Sequence, residues 1–275
     1  MTGLRYVYAV CRPFVTPLQA ELTGVAGAPA GLLHHHGLVA VVSTVPEADF
    51  GEEALKAHLE DLDWLAATAR AHQGVVDALT TVTTPLPLRL ATVFRDDSAV
   101  RVMIEAREDH FRALLDRLDG RVEWGVKVYA EETAEPAGAE PAAAAKPASG
   151  RDYLRLRRAR GQAKEETWQR AERFAHALHE RLAGHAEDFR LHPPQNSALS
   201  KASGLNVLNA AYLVPRAHSE EFVELVDRTK DEAPGFRVEL TGPWAAYSFT
   251  GDTGDTGNAG AAGDAGTAQA AEGVS

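Results

Sequence analysis

The sequence predicts an α+β protein made of two ferredoxin-like α/β sandwich domains, which are joined by a flexible linker and followed by a disordered C-terminal tail. Two observations support this prediction. Strand patterns and helix patterns alternate in two blocks, each the size of a small domain. Two other segments have almost no large apolar side chains, so they bury too little surface to offset the entropy of ordering. The predicted units are an N-terminal domain at 1–130, an Ala/Pro/Glu-rich linker at 131–150, a C-terminal domain with a long first helix at 151–250 and a Gly/Asp/Ala-rich tail at 251–275.

In the first block, aromatic and β-branched residues predict strands, and apolar residues spaced by three and four predict helices. The apolar run Leu38–Val42 is typical of a strand buried on both faces. Asp96 provides N-cap chemistry for the second helix, and Gly120 suits its C-terminal end. The predicted order is strands at 4–10, 31–36 and 38–45, a helix at 52–79, a short strand at 84–91, a helix between Asp96 and Gly120, and a strand at 122–128.

The second block begins with a long predicted helix near 151–185. Its apolar stripe comprises Trp168, Ala171, Ala175, Leu178 and Leu182. The elements predicted after it are a strand at 205–214, a helix at 219–231, a strand at 236–241, a turn at Thr241-Gly242-Pro243 and a last short strand at 244–249. A helix that packs on a small sheet is again compatible with a ferredoxin-like unit.

The charge balance argues against several classes of protein. The chain has 28 Lys plus Arg and 39 Asp plus Glu, which gives a formal net charge of −11. A net acidic chain is poorly suited to sequence-independent binding of nucleic acid, because such binding needs cations that face the phosphates. No apolar run reaches the roughly 18–20 residues of a membrane-spanning helix, and the N-terminus lacks the pattern of a secretory signal. We therefore expect a cytoplasmic protein that binds neither nucleic acid nor membranes.

No motif of known chemistry is visible. The chain lacks a phosphate-binding loop, a dinucleotide-binding glycine motif and the serine elbow of α/β-hydrolases. Its single cysteine, Cys11, excludes an intramolecular disulfide and a multi-cysteine metal site. His34 and His36 would share one face of a strand, but no neighbouring Asp, Glu or Cys completes a metal site. We predict no catalytic residue, no cofactor and no metal, and we interpret His72 as a core histidine.

An arginine cluster at the start of the second block is the strongest charge feature. Arg151, Arg155 and Arg158 recur at spacings of four and three, so they share one face of the predicted helix. Such a face is suited to anchor an acidic partner, because interfaces favour arginine. It is equally compatible with a solvated helix start that pairs with local acids, and the sequence leaves both interpretations open.

Seven short motifs follow one another in both blocks, at Leu4–Val10, Trp64-Leu65 with Ala69 and His72, Pro87–Arg89, Gly120–Val128, Gly150–Leu154, Asn209–Val214 and Thr241–Phe249. Their ordered combination, which spans residues 3–250, resembles the gas vesicle protein F/L family. Members of this family are accessory proteins for building gas-filled protein organelles in prokaryotes. The motifs do not separate an F-type from an L-type role.

The resemblance implies a non-enzymatic accessory protein for gas vesicle assembly, associated with gas vesicles. It would bind the small hydrophobic shell protein and other accessory proteins as an adapter or chaperone. We expect partner-binding surfaces at the arginine face, at the aromatic corner of Trp244 and Tyr247, and at the proline-flanked edge strand around Arg89. Trp244 and Tyr247 are equally compatible with a place in the core. The alternative is a ligand-sensing or enzymatic ferredoxin-like protein, since such folds have many functions.

Overall fold

The structure is a computed structural model that describes residues 3–18, 22–130, 150–194, 204–232 and 235–251. Its architecture is mixed α+β with two antiparallel sheets, which confirms the predicted fold class. The predicted linker and tail lie outside the described residues, apart from residues 150 and 251. Among the described residues, no helix is both long enough and apolar enough to cross a membrane.

The first sheet has the strand order β2-β3-β1-β4, and β5 also pairs with β1. The predicted strand 84–91 is reduced to the two residues of β4, because proline cannot donate a backbone hydrogen bond to a neighbouring strand. The strands are β1 (Leu4–Cys11), β2 (Gly31–His35), β3 (Leu38–Val45), β4 (Leu86–Pro87) and β5 (Val93–Phe94). One face packs against α3 (Leu62–Thr80), and the other packs against α4 (Asp97–Ala106) and α5 (Glu108–Leu118).

The second sheet has the order β7-β8-β6-β9. Its strands are β6 (Arg121–Ala130), β7 (Asp188–Leu191), β8 (Leu205–Pro215) and β9 (Phe236–Trp244). One face packs against α6 (Gly150–Ala183) and α7 (Ser219–Glu232). On the opposite face, Ala211 and Leu213 of β8 join the core that contains α4 and α5. Helices α4 and α5 therefore lie between the sheets, and one apolar core connects both halves.

The largest difference from the sequence prediction concerns the strands with which β6 pairs. We placed residues 122–128 in the first block, but β6 pairs with β8 and β9 of the second sheet. Alternation of apolar residues identifies a strand and does not identify its neighbours. The turn from α5 into β6 contains Gly120, whose φ of +70° is a left-handed conformation that glycine adopts readily. Residues 131–149 thus connect β6 to α6, which both belong to the second sheet and its helices. The domain boundaries at 130 and 150 stay predictions.

Both helices predicted in the first block are interrupted. The 52–79 helix consists of α2 (Glu52–His58), which follows the short α1 (Glu47–Phe50), and of α3. Between α2 and α3, Asp61 caps α3 by accepting hydrogen bonds from the backbone N–H groups of Asp63 and Trp64. The second predicted helix has Asp96 as its N-cap, as expected, but divides at Arg107 into α4 and α5. Buried apolar residues recur on both sides of Arg107, so periodicity alone does not reveal that break.

The last described segment was predicted wrongly. Residues 244–249 do not form a strand, because β9 ends at Trp244 and Tyr247–Phe249 form a 3-10 turn. Ala245, Ala246 and Phe249 are buried in the cores of the first sheet. Packing against the other half of the molecule, and not strand pairing, therefore fixes this segment.

Candidate functional site

The N-terminal half of α6 has no described buried side chain. A helix of 34 residues is about 50 Å long at the usual rise per residue. Its first described buried side chain is Ala171, after which buried residues recur at Ala175, Leu178 and Leu182. The predicted apolar stripe is therefore confirmed except at Trp168, which is 43% exposed. We call residues 150–170 the projecting half of α6.

The projecting half presents the predicted arginine face. Arg151, Arg155 and Arg158 are all exposed, and their spacing places them on one side of the helix. Leu154, one of the exposed large apolar residues, lies next to this side. A strip of guanidinium groups beside an apolar side chain has the composition of an interface that binds an acidic partner.

The predicted aromatic corner contains one exposed and one packed residue. Trp244 lies at the end of the edge strand β9 and is 37% exposed. Tyr247 is half-buried, and the centroid of its ring lies 6.3 Å from that of His72. Burial raises the pKa of Tyr247. Trp244 thus keeps the properties of a partner anchor, whereas Tyr247 belongs to the contact between the two halves of the molecule.

A buried carboxylate, missed by the sequence analysis, holds the residue after Tyr247. Glu123 of β6 is only 8% exposed and accepts two hydrogen bonds from Ser248. The backbone N–H of Ser248 donates to Oε2 at 2.8 Å, and its hydroxyl donates to Oε1 at 2.7 Å. Burial raises the pKa of Glu123, although the bonds from Ser248 oppose this shift. The carboxylate therefore fastens the 3-10 turn to the second sheet.

Ser248 and Glu123 meet His192, but the arrangement does not suit nucleophilic catalysis. His192 Nε2 lies 3.3 Å from the Ser248 hydroxyl oxygen. A serine nucleophile must give its proton to the histidine, whereas the single hydroxyl proton of Ser248 is donated to Glu123. His192 then acts as the donor to Ser248. We interpret these three residues as a structural link between the sheet and the turn.

His72 is buried among aromatic rings beside the first sheet, as the sequence analysis expected. Its Nδ1 lies 3.0 Å from the hydroxyl of Tyr6, which also accepts a hydrogen bond from the Ala91 backbone N–H at 3.0 Å. Burial lowers the pKa of His72 to about 4. A histidine of this kind is neutral at pH 7 and serves as a hydrogen-bonding core residue.

Arg89 is exposed two residues after the end of β4, at the edge of the first sheet. The carbonyl oxygen of Arg89 accepts the hydroxyl of Thr92 at 2.7 Å, which closes the loop toward β5. Because Ala91 and His72 both bind the Tyr6 hydroxyl, the loop after Arg89 is connected to the neighbourhood of Tyr247. The arginine face of α6 belongs to a different layer of the molecule.

Cys11 and two histidines of α6 have structural roles. Cys11 is buried, and burial raises its pKa to about 12, so its thiol is not a nucleophile at pH 7. His179 Nδ1 lies 2.9 Å from the Tyr212 hydroxyl, while His176 faces Glu180 at 3.5 Å. The two helix histidines therefore have separate partners.

The histidine run is arranged differently from the prediction. Strand β2 ends at His35, and His36 and Gly37 form the hairpin turn with φ of 50° and 69°. This turn brings the rings of His35 and His36 to a centroid distance of 4.5 Å. The carboxylates of Glu105 and Glu108 contact these rings, although they lie 70 and 72 residues further along the chain. Sequence proximity could not reveal these acidic partners.

Strand β7 exposes Phe189 and Leu191 at the edge of the second sheet. These apolar residues alternate with Asp188 and Arg190, which form an ion pair at 2.8 Å. This four-residue alternation of charged and apolar residues is the sequence signal that indicates β7.

Two open surface depressions have cavity volumes of about 330 and 400 Å³. The first lies between the end of α6 and the start of α7, and the second lies beside the β2–β3 hairpin. Neither is lined by the buried titratable residues Glu123 and His72.

Comparison with known sequences gives consistent matches. A family model described as gas vesicle synthesis protein GvpL/GvpF matches residues 4–251. Gas vesicle protein L of Streptomyces sp. (strain CB03234) is 57% identical over 249 residues, which cover 90% of this chain and 93% of that protein. Gas vesicle protein F of the same strain is 27% identical over 254 residues, which cover 89% of this chain and 98% of that protein.

Solved structures show the same fold. The crystal structure of gas vesicle protein GvpF from Microcystis aeruginosa matches with a TM-score of 0.62 at 19% identity, covering 91% of this chain and all (100%) of that chain. The crystal structure of the gas vesicle protein GvpF from Anabaena sp. PCC7120 matches with a TM-score of 0.64 at 18% identity, covering 90% of this chain and 98% of that chain. At these identities the likeness establishes the fold alone.

Proposed function

Because this chain belongs to the family of gas vesicle synthesis proteins GvpL/GvpF, we propose that it is a non-enzymatic accessory protein in gas vesicle assembly. It binds the small hydrophobic shell protein and other accessory proteins as an adapter or chaperone, and it acts in association with gas vesicles. A shell subunit must present an apolar face to gas, and such a face aggregates in water before assembly. An accessory protein that holds subunits during their addition solves this problem.

The observation that carries the proposal is the projecting half of α6. Its exposed Arg151, Arg155 and Arg158 offer charge complementarity to acidic partners, and Leu154 adds apolar contact area. Trp244 and Arg89 are further exposed candidates on the two sheet edges. The half-buried Ser248 donates its hydroxyl proton to the buried Glu123 and not to His192, which supports a structural role for these three residues.

We also propose an L-type role within the family. The chain is 57% identical to gas vesicle protein L of Streptomyces sp. (strain CB03234) and 27% identical to gas vesicle protein F of that strain. Both matches cover about nine-tenths of the chain, so the difference is not caused by a shorter alignment.

Charge reversal on the projecting half tests the adapter proposal. In a vesicle-forming host that lacks the gene, the chain with Arg155→Glu and Arg158→Glu should restore buoyant vesicles poorly. The same variant should retain less shell or accessory protein in pull-down experiments, at least tenfold below the unchanged chain, because each reversal replaces attraction by repulsion.

Helix α6 also provides the matched control. Arg170 and Arg173 have the same spacing of three and are exposed, but they lie outside the arginine face and flank Ala171, the first described buried side chain of α6. Reversing both should leave capture and buoyancy near the level of the unchanged chain, and circular dichroism should show the same helix content for all variants. Equal capture by the two double variants would refute the role of the arginine face.

A further inference from the structure

The β2–β3 hairpin and α4 bring three metal-ligating side chains together. Glu105 Oε1 lies 2.6 Å from His35 Nε2 and 3.9 Å from His36 Nε2. One ligand atom from each of the three residues lies within 4.8 Å of the other two. In a tetrahedral site with metal–ligand distances of about 2.0–2.1 Å, ligand atoms are separated by about 3.3 Å. Side-chain movements of about 1 Å therefore suffice to enclose an ion.

The hairpin turn creates this geometry. Consecutive residues of a strand point to opposite faces, so His35 and His36 could not share a ligand site within a regular strand. His36 instead adopts a left-handed φ of 50°, which is uncommon for residues other than glycine. Arg112 holds this conformation by donating a hydrogen bond to the carbonyl oxygen of His36. The turn therefore aligns the two imidazoles on one side of the hairpin.

His36 also has the outer partner that metal-bound histidines normally have. Its Nδ1 lies 2.7 Å from Glu108 Oε2, while its Nε2 is the atom nearer Glu105. Glu108 is fixed in turn by Arg112, whose guanidinium lies 2.9 Å from Oε1. A carboxylate that accepts the second ring N–H of a ligating histidine orients the ring and increases its basicity. This arrangement keeps Nε2 available as the ligand.

The donor set selects the class of metal. Two imidazoles and one carboxylate suit zinc and neighbouring divalent transition ions, whereas calcium and magnesium require oxygen ligands. Cys11, the only thiol of the chain, is buried and is not part of this ligand group, so no thiolate contributes. The side chains of His36 and Glu105 are about half exposed, which leaves the fourth position to water.

We propose that His35, His36 and Glu105 form a binding site for one Zn²⁺ ion, with Glu108 as the outer partner of His36. The ion joins the β2–β3 hairpin to α4, one of the two helices between the sheets. Because Zn²⁺ binds the folded chain and not the unfolded chain, it stabilises the folded state by mass action. The site is separate from the surfaces proposed for partner binding, so its test does not depend on the assembly role.

Calorimetric titration of the full chain with ZnCl₂ at pH 7.5 tests the proposal. The protein should carry no histidine tag and should first be stripped with a chelator. We expect one Zn²⁺ per chain and a higher thermal midpoint with zinc than without it. Glu105→Gln should weaken affinity at least tenfold, because it removes the carboxylate, and Glu108→Gln should weaken it about tenfold.

Two variants separate this site from nonspecific capture by histidines. His34→Ala removes an exposed neighbour outside the ligand group and should leave affinity unchanged. His36→Asn tolerates the left-handed turn but lacks the imidazole, so it should abolish tight binding. The proposal is overturned if the unchanged chain shows no saturable binding, if Glu105→Gln binds as tightly, or if His34→Ala loses as much affinity as His36→Asn. Because all altered side chains lie on the surface, circular dichroism should confirm folding in each case.

Discussion

His72 and Glu123, which are buried on opposite sides of the Tyr247–Phe249 turn, are held in different ways. His72, on the side of the first sheet, sits among aromatic rings and is hydrogen-bonded through Nδ1 to Tyr6. Glu123, in the second sheet, has both carboxylate oxygens bonded to Ser248. The first side of the turn thus depends mainly on packing, whereas the second depends on directed hydrogen bonds.

The same comparison predicts opposite responses to pH. Burial lowers the pKa of His72 to about 4. As the pH falls, the His72 imidazole therefore binds a proton in the unfolded chain before it does so in the folded chain, and acid destabilises the fold. The pKa of Glu123 is raised by burial, so the folded chain holds this proton longer. Its contribution to stability is therefore complete below the ordinary glutamate pKa and decreases as pH rises through the raised value.

The largest effect is expected from the residue that anchors the turn. Phe249 is fully buried in the core shared by the first sheet and β8. Phe249→Ala should lower the free energy of unfolding by about 3–5 kcal/mol, because it removes apolar contacts and leaves a cavity. Urea unfolding measures the loss. Trp244→Ala, at the exposed corner, should cost much less, and equal losses would mean that the turn is not an anchor.

The second prediction separates the two titratable residues. Between pH 6.5 and 4, His72 should reduce the free energy of unfolding by up to about 3 kcal/mol, which is the free-energy equivalent of its pKa shift. His72→Phe should flatten the measured slope in this range, whatever its effect on absolute stability. Glu123→Gln should make the rise of stability with pH steeper, because it removes the opposing contribution.

The exposed His218 provides the control for the pH experiment. His218→Phe alters a solvent-exposed side chain outside both cores and should keep the pH slope of the unchanged chain. If His72→Phe and the unchanged chain have the same slope, burial of His72 does not govern the acid response. If Glu123→Gln flattens the slope instead, the assigned direction of the Glu123 shift is wrong.

Local patterns predicted those parts of the fold that local physics determines. The apolar run Leu38–Val42 indicated a strand buried on both faces, and Asp96 was correctly predicted as a helix cap. The break at Arg107 was not predicted, because buried apolar residues recur on both sides of it. The pairing of β6 with β8 and β9 was not predicted either, since the register and the partners of a strand depend on contacts between residues far apart in the chain.

The candidate sites show the same limit. The spacing of Arg151, Arg155 and Arg158 predicted a shared exposed face, since one helix carries all three residues. The link between Glu123 and Ser248 spans 125 residues, and no local pattern encodes it. Sequence reasoning could place a residue on a face but could not find the distant group opposite it.

The smallest effect is expected on the side of the turn that is held by the hydrogen bonds between Ser248 and Glu123. Ser248→Ala removes the hydroxyl that donates to Glu123 but keeps the backbone N–H bond, so the loss should be about 1–2 kcal/mol. The hydroxyl bond favours the ionised carboxylate, and the loss should therefore be greater at pH 8 than at pH 4. Ser98→Ala, at an exposed position of α4, should be nearly neutral at both values. A loss at Ser248 that does not change with pH would show that its hydroxyl acts through packing, and the contrast with His72 would then disappear.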